Sequence, residues 1–159
     1  MNSTTSPFTL TLERTLAAPR MAVWRCWTDP KLMEEWFCPK PWFVKDAVLD
    51  LRAGGASSMT MCGPNGEASP NRGVYLHVEE GKRLVFTDAF TSAWIPSGKA
   101  FMVGEILLSD APSGDTHYIA RAYHWSEADM QEHVKMGFHE GWAKAAEQLE
   151  ALAKTLAKA

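Results

Sequence analysis

Six extended stretches follow one another between Trp42 and His124, and one long amphipathic segment comes after them. The stretches read WFVKDAVLDL, ASSMTMC, RGVYLHVEE, KRLVFTDAF, FMVGEILLSD and DTHYIARAYHW. Turn formers separate them, among them Gly54-Gly55, Gly63-Pro64-Asn65-Gly66, Glu80-Gly81 and the APSG at 111–114. Pro at the second position of GPNG presets φ, and Asn tolerates left-handed backbone. Connections of hairpin length join antiparallel strands, whereas a parallel pair needs a crossover of about a dozen residues or more. A meander is therefore dictated, not a parallel βαβ sheet.

Ahead of the meander, FTLTLERTL (Phe8 to Leu16) alternates apolar and polar residues and reads as a further strand. Pro19 stands at a first helical position before MAVWRCW, a short helix ending at Thr28. Asp29-Pro30 is an N-cap followed by a Pro at N1, which opens a second short helix, KLMEEW. Met1 to Pro7 carry no pattern and are expected to form a disordered tail, leaving one domain over residues 8–156.

The segment from His124 to Leu156 is expected to be one helix. Ser126 and Asp129 form a capping-box-like start, with Trp125 and Met130 at the staple positions. Apolar or small residues at Met130, Val134, Gly137, Phe138, Gly141, Trp142, Ala145, Leu149, Leu152 and Leu156 fall within an arc of roughly 140°. Gly137 and Gly141 lie on that apolar face, although a mid-helix Gly costs about 1 kcal/mol relative to Ala. Glycine at such a place marks close approach by a sheet backbone or by a ligand. A single helix cannot fill the concavity of a curved seven-stranded sheet, so the remainder is either packed with large side chains or left as a cavity. The 7 Trp and 8 Met residues suit both outcomes.

Several function classes lack support. The net charge is -3 and no stretch concentrates Lys or Arg, so no nucleic-acid surface is expected. Cys26, Cys38 and Cys62 make an odd count without a CxxC, which indicates neither a disulfide framework nor a zinc site. The opening MNSTTSP has no apolar core, and no stretch is long and apolar enough to span a membrane. A cytoplasmic setting is the expectation. No GxSxG, P-loop or GxGxxG is present, and no cofactor is expected.

Four blocks carry a family resemblance: AAPRMAVWRCWTDPKLMEEWF, LDLRAGGASSMTMCGPNGE, NRGVYLHVEEGKRLVFTDAF and MGFHEGWAKAAEQLEAL. In these the chain resembles the bacterial branch related to the activator of Hsp90 ATPase, within the START/Bet v 1-like superfamily. The resemblance runs from about Phe8 to Leu152. It implies an α+β helix-grip fold: a seven-stranded antiparallel sheet wrapped round a long C-terminal helix, with a cavity between them. The superfamily includes ligand carriers, cyclases, hydrolytic enzymes and chaperone partners on this scaffold, so the fold does not select among them. The eukaryotic activator also carries a separate Hsp90-binding domain, to which no part of this sequence corresponds.

The chemistry-bearing candidates are few. Glu105 interrupts the apolar strand FMVGEILL. If Met102, Gly104, Ile106 and Leu108 face the helix, Glu105 is solvated; the opposite register makes it a cavity carboxylate with a raised pKa. His124 shares an inward face with Tyr118, Ala120 and Ala122, where it is either a hydrogen-bonded histidine at the helix start or a base at the cavity rim. Asp88 is either a polar cavity group or a turn-flanking residue. His133 flanks the apolar arc and His139 lies opposite it, so the two supply no pair of metal ligands on one face and no metal is expected. Cys26 reads as a small core residue, and Ser126 as an N-cap rather than a nucleophile.

The inward set expected to line a pocket is mainly apolar. It comprises Trp36 and Phe37, then Met59, Met61, Tyr75, Phe86, Trp94, Met102 and Tyr118 from the strands, and Val134, Gly137, Phe138 and Trp142 from the helix. Such a set suits a small hydrophobic, aromatic or polycyclic ligand. Binding without catalysis is the leading reading. A cyclase- or hydrolase-type enzyme using Glu105, His124 or Asp88 is the second, and an interaction protein for a chaperone or other partner is the third. Met136 falls opposite the apolar arc, so it is solvated in a monomer and covered if the long helix forms a homodimer.

Overall fold

A computed structural model describes residues 7–158, so the tail expected at the N-terminus lies outside the described residues but for Pro7. Strand β1 (Thr9–Leu16) leads into α1 (Arg20–Thr28) and α2 (Pro30–Trp36). The meander follows as β2 (Phe43–Leu49), β3 (Ala56–Cys62), β4 (Ala68–Glu79) and β5 (Arg83–Thr87), then a small hairpin of β6 (Phe90–Thr91) and β7 (Ile95–Pro96), then β8 (Met102–Asp110) and β9 (Thr116–His124). Asp29 caps α2 as its position implies, its side chain accepting from the amides of Lys31 and Leu32.

Seven of these strands form one antiparallel sheet in the order β1-β9-β8-β5-β4-β3-β2. The first strand thus pairs with the last, Leu12 opposite Ala120, and the meander fans out from that pair. The hairpin β6–β7 stands apart as a separate two-stranded sheet. The sheet and the C-terminal helix are those the family resemblance implies.

The expectation of one uninterrupted C-terminal helix is corrected. The chain forms α3 (Glu127–Lys135) and then α4 (Phe138–Lys158), with a break at Met136-Gly137. Gly137 adopts φ +93°, the left-handed conformation that ends a helix and that glycine alone enters without penalty. Ser126 caps α3 as foreseen, its hydroxyl accepting from the Asp129 amide at 3.1 Å.

Helix α4 packs along its length in two different ways. Ala146, Leu149 and Ala153 are fully buried in the main core with Trp24, Trp36 and Leu84, and the helix meets α1, α2 and β1. Its first turns, from Phe138 to Ala145, lie over open space instead. No helix among the described residues is long and apolar enough to cross a membrane.

Candidate functional site

The open space is a cavity of about 420 Å³ between the sheet and the start of α4. Its floor comes from α1, α2 and the turn after them: Trp27, Met33, Trp36 and Phe37. These aromatics hold one another edge to face, with Trp27 4.9 Å from Trp36 and 5.8 Å from Phe37 between ring centres. Two indoles are anchored as well: Trp36 Nε1 donates to the Cys26 carbonyl at 2.8 Å and Trp27 Nε1 to the Tyr118 hydroxyl at 3.2 Å. The polar edge of each ring is thereby satisfied, which leaves its apolar body to face the cavity.

The sheet supplies Leu12, Met59, Met61, Tyr75, Leu84, Phe86, Met102 and Tyr118, all on the concave face. The roof is His133, Met136, Gly137, Phe138, Gly141, Trp142 and Ala145. A Cβ at Gly141 would meet nothing within 4 Å. Gly141 therefore admits no sheet backbone; it simply leaves space unfilled. Met136 is 67% exposed yet also lines the cavity, so it stands at the mouth, beside the α3–α4 break.

Of the residues expected to line a pocket, Trp94 and Val134 do not. Trp94 sits on the β6–β7 hairpin with φ +60°, about half exposed, its ring packed over Gly54 and edge-on to Phe90. It was expected to come from a strand, but the backbone turns at Ala93-Trp94 instead of continuing one. Val134 packs with Leu10, Ala122 and Phe138 in a small cluster beside the cavity. Trp27, Met33, Phe101, His133 and Asp88 line the cavity without having been placed in the pocket set. The signal that was available for Trp27 is its position three residues from Trp24 on α1; the others depend on how distant segments meet.

Glu105 occupies the outward face, since Ile106 and Leu108 face the core, but the expectation that it is solvated is corrected. It is only 5% exposed. Arg83 Nε donates to it at 2.8 Å, Arg121 Nη1 stands at 3.4 Å, and the Tyr123 hydroxyl donates to the same carboxylate. Burial by itself would push the carboxyl up, but the hydrogen bonds from Tyr123 and Arg83 and the positive charges outweigh it and hold it below the usual range. It is an anchored anion behind the sheet, not an acid facing the cavity.

Asp88 does reach the cavity wall, and its Oδ1 is taken up by two backbone amides, Phe101 at 2.9 Å and Met102 at 3.2 Å. This is the turn-flanking role. His124 is buried on the inward face as expected, with Nδ1 2.9 Å from the Phe8 carbonyl and Nε2 2.9 Å from Nδ1 of His133. His133 is buried, lines the cavity, and has its pKa pushed down to about 4, first by burial and then by His124. His139 is exposed. No group of three or more potential metal ligands occurs among the described residues. Cys26, Cys38 and Cys62 are unpaired and buried; burial pushes Cys26 up to about 12 and Cys38 to about 11, so both remain thiols rather than nucleophilic thiolates.

Comparison with known proteins places this geometry. The family model described as activator of Hsp90 ATPase homolog 1-like protein matches residues 17–154. A crystal structure of a protein from Nitrosomonas europaea is similar over 92% of this chain and 94% of its own, at 41% identity and a TM-score of 0.89. A Mycobacterium smegmatis protein is similar over 91% of this chain and 90% of its own, at 26% identity and a TM-score of 0.77. An AHSA1-like protein from Aeromonas hydrophila, 17% identical with a TM-score of 0.68 over 93% of each chain, shares the fold. No curated protein matches the sequence.

Proposed function

The chain belongs to the activator of Hsp90 ATPase homolog 1-like family, and from that premise we propose that it binds a small hydrophobic molecule of aromatic or polycyclic shape in the cavity under α4. The observation that carries this reading is the unfilled, mainly apolar space of about 420 Å³ beneath Gly141. A void of that size lined by Met and aromatic residues forgoes dispersion contacts that a ligand restores, and it lies in the range of small-molecule sites. Trp36, Phe37, Met59, Met61, Tyr75, Phe86, Met102, Tyr118, Phe138 and Trp142 are the residues assigned to contact the ligand. Entry is past Met136 and Phe101.

Binding rather than acid–base chemistry is what the polar groups support, His133 at the cavity wall being a weak base with its pKa pushed down to about 4. Glu105 lies behind the sheet, Asp88 Oδ1 receives two backbone amides, and His124 is held between a carbonyl and a second imidazole. A reducing, cytoplasmic setting accords with the three unpaired thiols.

Thermal unfolding with a graded set of neutral one- to three-ring aromatic molecules tests the proposal. Members that fit raise the melting temperature saturably, since a ligand at a hundred times its Kd stabilises by about 2.7 kcal/mol. A set that produces no saturable rise overturns it.

A further inference from the structure

We infer that the cavity selects hydrophobic ligands carrying a hydrogen-bond donor, of the phenol or alcohol class, through an acceptor that His133 presents as its free Nε2. The inference rests on the binding function proposed above and specifies its ligand.

The argument begins at a backbone carbonyl. The Phe8 oxygen can only accept, and it already receives the His124 amide at 3.0 Å, so His124 Nδ1 at 2.9 Å must carry a hydrogen. In a neutral ring the other nitrogen of His124 then bears a lone pair. That nitrogen lies 2.9 Å from His133 Nδ1, so with His124 in this neutral form His133 Nδ1 is the donor. The same exclusion passes to the second ring: with its hydrogen on Nδ1, neutral His133 keeps a bare lone pair on Nε2. One carbonyl thus sets two tautomers in sequence.

The end of this relay is accessible. Nε2 of His133 has no partner among the described residues, and no buried side-chain nitrogen or oxygen there lacks one, so Nε2 is not sealed within protein atoms. The other aromatic neighbours of the ring are Phe101 at 5.2 Å, Phe138 at 5.1 Å and Trp142 at 5.8 Å between centres, and these three and His133 itself all line the cavity. The small accessible part of His133 accordingly opens on the cavity. Burial, with His124 beside it, keeps the ring neutral at physiological pH.

A lone pair in an apolar wall discriminates by what it leaves unmade. A hydrocarbon or ether that displaces water from Nε2 leaves an unsatisfied acceptor, which is more costly than a missing contact. A carboxylate sets its own lone pairs against it. A hydroxyl donates to it.

Binding of 2-naphthol, 2-methoxynaphthalene and 2-naphthoate at pH 7 tests the inference. Naphthol is expected to bind about tenfold tighter than its methyl ether, with naphthoate the weakest, and His133→Phe is expected to bring naphthol and the ether to within about twofold of each other. Equal affinity of naphthol and ether in the unaltered protein, or tightest binding of naphthoate, overturns the inference and leaves hydrophobic binding standing. Failure of all three to bind overturns both. Long-range ¹⁵N–¹H correlation spectra of the unaltered, ligand-free protein give an independent reading: an unprotonated Nε2 on His133 supports the relay, and a protonated one overturns it whatever binds.

Discussion

The Phe86 ring lies so close over Gly104 that a Cβ on the glycine would stand 2.4 Å from two of its carbons. The two residues face each other across the β5–β8 pairing. Phe86 in turn packs 5.7 Å from Trp27 and lines the cavity. Glycine at position 104 therefore sets where one wall of the cavity stands.

Replacing it tests that role. Gly104→Ala must swing the Phe86 ring away from β8, costing about 1–3 kcal/mol in urea unfolding because the displaced ring overpacks its neighbours. Ligand affinity changes with it. A stability within about 0.3 kcal/mol of the parent contradicts the close approach.

Gly141 makes the opposite prediction. Its Cβ position is empty, so Gly141→Ala adds no clash and removes a poor helix former, raising stability by about 0.5–1 kcal/mol. Gly141→Phe projects a ring into the cavity and is expected to abolish binding of two-ring aromatics while the protein remains folded. Retained affinity in that variant, measured by titration, places the ligand elsewhere.

Glu105 separates structure from ligand binding. Glu105→Gln weakens the bonds from Arg83, Arg121 and Tyr123, and with Arg83 itself 41% exposed the loss is about 1–2 kcal/mol. Since Glu105 lies on the face away from the cavity, affinity for aromatic ligands stays within about twofold. A larger change of affinity shows that the outer face communicates with the site.

Stability falls with acid in two stages. Folded His133 titrates near 4, below its ordinary value of 6.5, so between those limits the unfolded chain holds a proton that the folded protein does not. Its contribution is complete above pH 6.5 and is lost as pH drops toward 4, on the order of 3 kcal/mol. Glu105 acts lower: its folded carboxyl titrates below 4.5, so the stability it provides is present above that pH and disappears beneath it. Unfolding midpoints measured against pH check both, and in His133→Phe the upper stage is expected to vanish while the lower remains. An upper stage of unchanged size assigns it to other groups.

Alternation and turn chemistry were sufficient to read the architecture from the sequence. Alternation and turn signals located the seven strands of the main sheet, and hairpin-length breaks required the six after α2 to be antiparallel. The Asp29 and Ser126 caps fell where their side chains compete for free amides. These are local properties, carried by a residue and its near neighbours. The two-residue strands of the Phe90–Pro96 hairpin are too short to show a period, and the turn at Trp94 carried a predicted wall residue out of the site. Likewise, helical periodicity runs straight through Gly137, because side-chain spacing does not report the backbone dihedral at which a helix stops. What surrounds Glu105 depends on strand pairing: Arg83 and Tyr123 reach it from diagonal positions on β5 and β9, and Arg121 lies directly opposite. The joining of His124 to His133 depends on where α3 settles against the end of β9. Whether the concave face is filled or hollow is a matter of volume, and pattern specifies which side chains face inward without specifying how far apart the walls stand. That distance was decided only when α4 packed its second half against α1, α2 and β1, leaving its first turns, with Gly141 among them, suspended over the sheet.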